Sequence, residues 1–422
     1  MKKRLLTILI IALAFLCLGA DKPRQRFELE FNCNGDIVRY LDAQVVADNH
    51  LIYEEIERRK INASINDKKR EVLRLIEEGK SEKQAVLNCF PLITNVLNNA
   101  QEKLRKEPKD SRIIFNPDKE TMFVLTCEEN GLAVDEDEFY ADIVYALFAN
   151  KREITVKTKP TNAKVTLKDN ERYLYKKASY STSVASSSDN RKHNVKQALS
   201  AINGSVLKIG EILSFNTKTG IRSEENGYKS AKIILGNEYV DGVGGGVCQA
   251  STTLYNCALL AGLEVESVSS HSLLPSYVEP SFDAMVNMGS SDLVIKNNTS
   301  GPIFIKAYIK NDRAIVEIYG CKNEYEIRKK SVTTYKGKIP EDKKVYDNKY
   351  FIQDETLNCK RVSYSQPQIK SEGYLIYYKN GEKQREQKIR EDNYNSKSGI
   401  IAYRVEKKDD ALFFIFIFNI RS

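Results

Sequence analysis

Cys248 closes a glycine-rich run, Asp241-Gly-Val-Gly-Gly-Gly-Val, and heads a segment in which Leu254, Ala258, Leu259 and Leu263 recur at helical spacing. A thiol at the start of a helix meets backbone N–H groups that lack intrahelical acceptors, and it sits at the positive end of the helix dipole. Its thiolate is thereby stabilised, and its nucleophilicity at neutral pH rises. The same N–H groups suit a developing oxyanion, which places Gly245 and Gly246 among the expected substrate or oxyanion contacts. A cysteine nucleophile needs a base, and the chain holds three histidines, His50, His193 and His271. His50 lies in a charged, helix-leaning region, and His193 stands beside Arg191 and Lys192. His271 follows directly beyond the segment that Cys248 opens, so a helix running away from the cysteine and a strand running back would pair the two side chains. Asp283 and Asp292 are the nearby carboxylates able to orient the imidazole. Arg222 is expected either to hold a ligand carboxylate or to make a surface ion pair. The plainer alternatives are a buried structural cysteine whose glycines serve a tight turn, and a histidine on a surface loop. The run "GVGGGVCQ" has neither the Gly-Lys-Ser/Thr ending of a phosphate loop nor the spacing of a dinucleotide fingerprint, so no cofactor is expected. The cysteine spacings contain no CxxC pair that would imply a metal. Cys257, further along the same helix, is expected in the core.

These groups need elements to position them. From Phe27 to about Arg112 the chain is charged and helix-leaning, with Leu73, Leu75, Ile76, Val86, Leu87, Phe90, Ile93, Val96 and Leu97 near helical intervals and a break at Pro91. Two short strands then follow, with a turn at Asn130-Gly131, a helix opened by Asp135 to Glu138, and a strand from Glu153 to Thr158. A polar passage leads to a glycine-rich segment with turns at Gly210, Gly220, Gly227 and Gly236. The helix over 249–262 comes next, and then strands up to Cys321. The last hundred residues are β-rich, with a hairpin on Asn380-Gly381 and an apolar terminal run, 411–422, expected as a buried strand. The fold class is therefore α+β and multidomain: a helical and α+β N-terminal region, a central mixed α/β domain with one helix opened by the cysteine, and a C-terminal β-rich module. The expected boundaries are 1–20, 21–165, 166–322 and 323–422.

A chain of 422 residues exceeds one ordinary core, which fits this division. Its 65 Lys and Arg against 57 Asp and Glu give a net charge of +8, spread along the chain rather than gathered in a tract. No nucleic-acid partner is needed to explain it, and an anionic cell surface is the simpler setting. The N-terminus has three basic residues, an apolar run from Leu5 to Ala20 and an abrupt return to charge, which is the pattern of an export signal or membrane anchor. The small-residue cleavage pattern is poorly met after Gly19 or Ala20, which favours an uncleaved anchor with the rest of the chain outside. Seven of the eight cysteines lie beyond that segment. An odd number in an exported protein implies a free reactive thiol or an intermolecular bridge.

The stretches "GEILSFNTKTGIRSEENGYKSAKII", "GVGGGVCQASTTLYN", "HSLLPSYVEPSFDAMV" and "DLVIKNNTSGPIFI" resemble, in order and spacing, the successive motifs of VanW-type domains. Upstream, "FVLTCEENGLAVDEDEFYADIVYAL" resembles more loosely a peptidoglycan-binding type of domain that often precedes them. The resemblance implies an exported or membrane-anchored envelope protein. It also implies a cysteine-dependent L,D-transpeptidase that acts on peptidoglycan peptide stems, with Cys248 as nucleophile and His271 as the matching histidine. Gln249, Ser251, Thr252, Thr253 and Tyr255 fit the family pattern, and Gln249, Ser251, Thr252 and Tyr255 are expected around the substrate. The chain departs from that pattern at Ser267-Val268 and at Phe282, positions that flank the cysteine and histidine. Two other functions stay open: a non-catalytic peptidoglycan-binding or scaffold protein, and a cysteine peptidase or amidase that resolves the same thioester with water.

Overall fold

The computed structural model describes residues 28–41, 65–235, 238–351 and 357–405. The expected anchor at 1–20, His50, the turn at Gly236 and the terminal strand at 411–422 lie outside these described residues. The chain divides into two compact units: Met1–Arg112 with Leu125–Leu167, and Ile113–Val124 with Lys168–Ser422. Both mix helices with sheets, so the architecture is α+β and multidomain.

In the first unit, three helices follow one another at Ile65–Glu77, Glu82–Cys89 and Ile93–Leu104. Ser81 and Gln84 form a reciprocal capping box at the start of the second, and Pro91 separates the second from the third. A fourth helix, Glu136–Ala149, is capped by the Asp135 carboxylate, which accepts from Glu138 N, and ends where Asn150 adopts a left-handed backbone. Phe31 and Phe139 stack at 5.2 Å between centroids in the core that these helices share with the Glu28–Cys33 strand. Gly131 is not a turn residue as expected. It opens the strand Gly131–Val134, paired with Thr158–Thr161, and a Cβ there would strike the Lys106 carbonyl and the Thr161 hydroxyl. Glycine is needed there for close backbone approach rather than for an unusual φ.

In the second unit, a four-stranded antiparallel sheet runs in the order Tyr175–Ser183, Arg313–Gly320, Ile303–Lys310, Val206–Leu207. Two helices, Asp189–Ile202 and Val247–Leu260, pack on it and on each other. The helix expected at 249–262 thus starts two residues earlier, and Cys248 lies within its first turn. A smaller sheet joins Ile212–Ser214, Val294–Lys296 and Glu264–Ser267. Beyond Cys321 come two three-stranded sheets, one of Glu326–Lys336, Ile369–Lys379 and Glu382–Tyr394, the other of Lys343–Tyr346, Ile400–Tyr403 and Cys359–Ser363. The long hairpin turns on Asn380 and Gly381, both at positive φ, as its sequence requires.

The Val247–Leu260 helix has almost no solvent face. Val247, Ala250, Leu254, Cys257, Ala258 and Leu259 are core residues, and Gln249, Ser251, Thr252, Thr253 and Asn256 are buried beside them. Burying so many polar groups is tolerable only if each is hydrogen-bonded, and these bonds fix the helix against its neighbours. Gln249 Nε2 donates to the Ser183 carbonyl at 2.7 Å and to Thr182 Oγ1 at 3.0 Å. Thr253 Oγ1 meets Thr182 Oγ1 at 2.9 Å.

Candidate active site

The helix begins at a sharp turn that only glycine permits. Gly244 and Gly246 take φ values of 85° and 109°, and a Cβ on Gly246 would lie 2.9 Å from Arg191 Cγ and 3.0 Å from the Arg191 carbonyl. A Cβ on Gly245 would lie 2.7 Å from the backbone of Ala231 and Lys232. Asn194 Nδ2 donates to the Gly245 carbonyl at 2.9 Å, tying the loop to the preceding helix. The run therefore serves close packing as well as the approach to Cys248, and the Cys248 thiol emerges half-buried in the first turn.

Three polar side chains of the helix grip one neighbouring segment, 282–284. Ser251 Oγ donates to the Ala284 carbonyl at 2.6 Å, Thr252 Oγ1 accepts from Ala284 N at 3.0 Å, and Asn256 Nδ2 donates to the Phe282 carbonyl at 2.7 Å. That grip places Asp283. Met285 N in turn donates to the Ser269 carbonyl at 2.8 Å, which lays the chain leading to His271 alongside. The strand Glu264–Ser267 returns along the helix, and His271 arrives beside Cys248 as the spacing predicts.

The result is a continuous chain of contacts. His271 Nδ1 lies 2.7 Å from Asp283 Oδ2, and His271 N donates to the same oxygen at 2.7 Å. This leaves the far ring nitrogen toward Cys248, to which His271 is hydrogen-bonded. Cys248 Sγ also reaches the Val286 carbonyl at 3.5 Å. Asp283 is fully buried and His271 nearly so. Burial pushes the thiol up, but the hydrogen bond and charge of His271, the Val286 backbone and the charge of Arg222 outweigh it and hold Cys248 below the ordinary thiol range. Burial likewise disfavours the imidazolium, but Asp283 and the Cys248 thiolate raise His271 to about 9. Asp283 is lowered because the His271 and Arg390 charges and the Tyr394 hydroxyl overcome its burial. These shifts run in one direction: they favour the Cys248 thiolate and the His271 imidazolium over the neutral pair, with the Asp283 carboxylate behind the ring.

The remaining expected residues sort by what they touch. Arg222 faces the site: its Nη2 donates to Asn216 Oδ1 at 2.6 Å and Thr219 Oγ1 at 3.0 Å, while its Nη1 is buried without a partner among the described residues. Asp292 does not orient the histidine. Its carboxylate accepts from Ser214 Oγ at 2.5 Å and Asn216 N at 2.9 Å, capping the short Phe215–Thr219 helix. Gln249, Ser251, Thr252 and Tyr255 are at most 2% exposed, so they build the site rather than line it. His193 stands apart, its Nε2 meeting the Gly227 carbonyl at 3.0 Å. Cys257 is in the core, with Sγ donating to the Val316 carbonyl at 3.3 Å.

Sequence reasoning missed several groups. Tyr277 is close enough to Thr252 to hydrogen-bond, and its hydroxyl is pushed well up by burial and the Cys248 charge. Arg191 lies over the Tyr277 ring at 5.7 Å and donates to Gln249 Oε1 at 2.6 Å. Arg390 and Tyr394 reach Asp283 from the C-terminal hairpin. All seven described cysteines are free, and among the described residues no cluster of three His, Cys, Asp or Glu side chains could hold a metal ion. Nor is any described helix long and apolar enough to cross a membrane.

Comparison with known proteins places this site. Residues 190–319 match the family model described as VanW like protein. Uncharacterized protein YoaR of Bacillus subtilis is 39% identical over 140 residues, covering 33% of this chain and 46% of that protein. Vancomycin B-type resistance protein VanW of Enterococcus faecalis is 25% identical over 147 residues, covering 33% of this chain and 53% of that protein. The chain spans about half the length of these curated relatives. The crystal structure of HP0197-G5 aligns to 19% of the chain at 15% identity and a TM-score of 0.10, too low to carry a structural argument. Cys248, His271 and Asp283 all fall inside the matched span, and residues 190–319 of this chain are a VanW-like domain.

Proposed function

We propose that this is a cell-envelope protein that modifies peptidoglycan by cysteine-dependent acyl transfer, acting as an L,D-transpeptidase. The observation that carries the proposal is the contact chain from Cys248 through His271 to Asp283 at the start of a glycine-fronted helix. The Cys248 thiolate attacks the carbonyl of the third residue of a tetrapeptide stem, and the first-turn N–H groups take up the oxyanion. The C–N bond to the terminal D-alanine breaks, His271 gives its proton to the departing amine, and a thioester remains on Cys248. The amine of a neighbouring stem's third residue then attacks the thioester, His271 takes the proton back, and a 3-3 cross-link is released with the thiolate restored. Arg222, whose charge already acts on Cys248, holds a carboxylate of the stem. The peptide stems are thus the partner, and the site works on the outer face of the membrane or within the wall. The VanW-like domain supports that setting, since one relative's name ties it to vancomycin resistance.

The experiment is incubation of the purified protein with synthetic tetrapeptide stems, followed by mass spectrometry of the Cys248 peptide. The expected product is a tripeptide-acyl adduct on Cys248 that an added stem amine converts into a cross-linked dimer. An adduct that yields only free tripeptide would make the protein a hydrolase. The absence of any adduct, with Cys248 reduced and the protein folded, would leave the binding or scaffold function in its place.

A further inference from the structure

A carboxylate has room for about four hydrogen bonds, and Asp283 accepts all four from two different parts of the chain. Oδ2 is taken by His271, through its ring Nδ1 and its backbone N–H. Oδ1 is taken by Tyr394, whose hydroxyl lies 2.6 Å away, and by Arg390, whose Nη2 lies 3.3 Å away. Both belong to the Glu382–Tyr394 strand, beyond the VanW-like domain. The direction of the tyrosine bond follows from its other partner. Ser281 N donates to the Tyr394 hydroxyl at 2.8 Å, so the hydroxyl's lone pair is engaged there and its own proton goes to Asp283. Arg390 is held in turn: Nη1 donates to the Asp283 carbonyl at 2.6 Å, and Nε and Nη2 pair with Asp392 at 2.7 and 2.8 Å. Tyr394 is fully buried and the Arg390 side chain 10% exposed. Ser281 sits at a φ of 64°, an uncommon conformation for serine, where its hydroxyl meets Ser371 Oγ at 2.8 Å. The loop that carries Asp283 is therefore moulded against the C-terminal hairpin.

We propose that Arg390 and Tyr394 are positioning residues for the Cys248 site, so that the C-terminal β-rich region completes the nucleophilic centre. The inference rests on Cys248 being the nucleophile. By occupying Oδ1 they orient the carboxylate so that Oδ2 alone meets the imidazole, which fixes the ring's tilt and turns its other nitrogen toward sulfur. The titratable and charged groups gathered around Asp283 are His271, Arg390, Tyr394, Asp392, Tyr255 and Tyr277. Among the residues of the C-terminal hairpin, only Arg390 and Tyr394 bond the carboxylate itself.

The test uses the full chain and the rate–pH profile of Cys248 alkylation by iodoacetamide, read by mass spectrometry of the Cys248 peptide, with melting temperature measured alongside. Tyr394→Phe removes one oxygen and keeps the ring. Arg390→Ala removes the fork, Arg390→Lys restores its charge, and Lys388→Ala on the same strand is the control. The expected result is an acid limb displaced upward by about one pH unit in Tyr394→Phe and Arg390→Ala, because a loosely held imidazolium stabilises the thiolate less. Arg390→Lys should fall between Arg390→Ala and wild type, and Lys388→Ala should follow wild type. An unmoved limb in Tyr394→Phe and Arg390→Ala overturns the proposal whether or not the melting temperature falls, since a merely structural clamp affects folding and not the thiol. If wild-type Cys248 itself labels no faster at pH 7 than the exposed Cys127 and Cys359, the nucleophile reading fails instead, and the two failures are distinct.

Discussion

Cys248 and Cys257 lie on one helix, and replacing each by alanine should give opposite results. Cys257 is fully buried, touches core residues and donates to the Val316 carbonyl. Removing its sulfur strips about one methylene-equivalent of buried surface and opens a small cavity, for a loss of about 1–2 kcal/mol. Cys248 is half-buried, and its removal deletes a charge together with the cost of burying it. His271 keeps Asp283 as partner, so no uncompensated ion is created, and the loss should stay under about 1 kcal/mol. For a unit of this size, 1 kcal/mol corresponds to about 2–4 °C in melting temperature. Cys257→Ala should therefore melt about 2–8 °C lower, and Cys248→Ala less than about 4 °C lower than wild type, with Cys257→Ala the more destabilised of the two. The chemistry reverses the order: Cys257→Ala should retain rapid alkylation at position 248 and acyl-adduct formation, while Cys248→Ala should lose both. Each unit by which Cys248 lies below an ordinary thiol raises its thiolate fraction about tenfold and lowers its intrinsic nucleophilicity about threefold, a net gain near threefold at pH 7. Melting curves and peptide-resolved labelling with iodoacetamide, with Cys127 and Cys359 as reference thiols, supply both readings. Equal destabilisation by the two substitutions, together with slow labelling of Cys248, would mean that the thiol is a packing residue and would refute the reasoning.

Three further outcomes follow from the same geometry. His271→Ala should slow alkylation of Cys248 near neutral pH and move its acid limb upward, since the imidazolium is the principal partner that lowers the thiol; an unchanged profile would leave the helix N-terminus acting alone. Turnover of stem peptides should be bell-shaped in pH. The acid limb lies below the ordinary thiol value of 9.0, where Cys248 becomes protonated, and the alkaline limb lies near 9, where His271 loses the proton it must deliver. Activity that keeps rising past pH 10 would remove His271 as the acid, and the two limbs belong to the coupled pair rather than to either residue. Gly246→Ala should cost about 1–3 kcal/mol in thermal or urea unfolding, because a left-handed backbone and a 2.9 Å approach to Arg191 are both incompatible with a Cβ; a variant as stable as wild type would mean that the turn relaxes freely.

The pairing of Cys248 with His271 is legible in the sequence because the elements that create it are local. A glycine run, a helix start and a return strand lie within a few dozen residues, and each has a recognisable composition. Asp283 and Asp292 are not separable at that level, since both are short-chain acids in turn-like stretches. Only the grip of Ser251, Thr252 and Asn256 on 282–284 decides between them. For Gln249, Ser251, Thr252 and Tyr255, residue type is readable and direction is not. A helix wrapped on all sides buries even its polar face, whereas pattern reasoning assigns polar residues to solvent or to substrate. Arg390 and Tyr394 are illegible for a different reason. They sit more than a hundred residues from Asp283, in a strand whose charged alternation looks like any exposed hairpin. Gly131 shows the converse error, since an Asn-Gly pair reads as a turn although the glycine is required by a neighbouring strand.

The helix that carries Cys248 has hardly any face of its own, and this governs when the thiol becomes reactive. An amphipathic surface helix can form early on local preference, but one whose neighbours come from Thr182, Phe282 and Val316 needs most of its unit in place first. Until then Cys248 is an ordinary thiol, with no imidazolium beside it and no ordered helix terminus beneath it. On the proposed function, reactivity is therefore acquired late, on completion of tertiary structure, and a nascent or transiently opened chain is spared adventitious acylation, oxidation and mispairing with the other six free cysteines among the described residues. The labelling rate of a single sulfur becomes a clock for the folding of the whole unit.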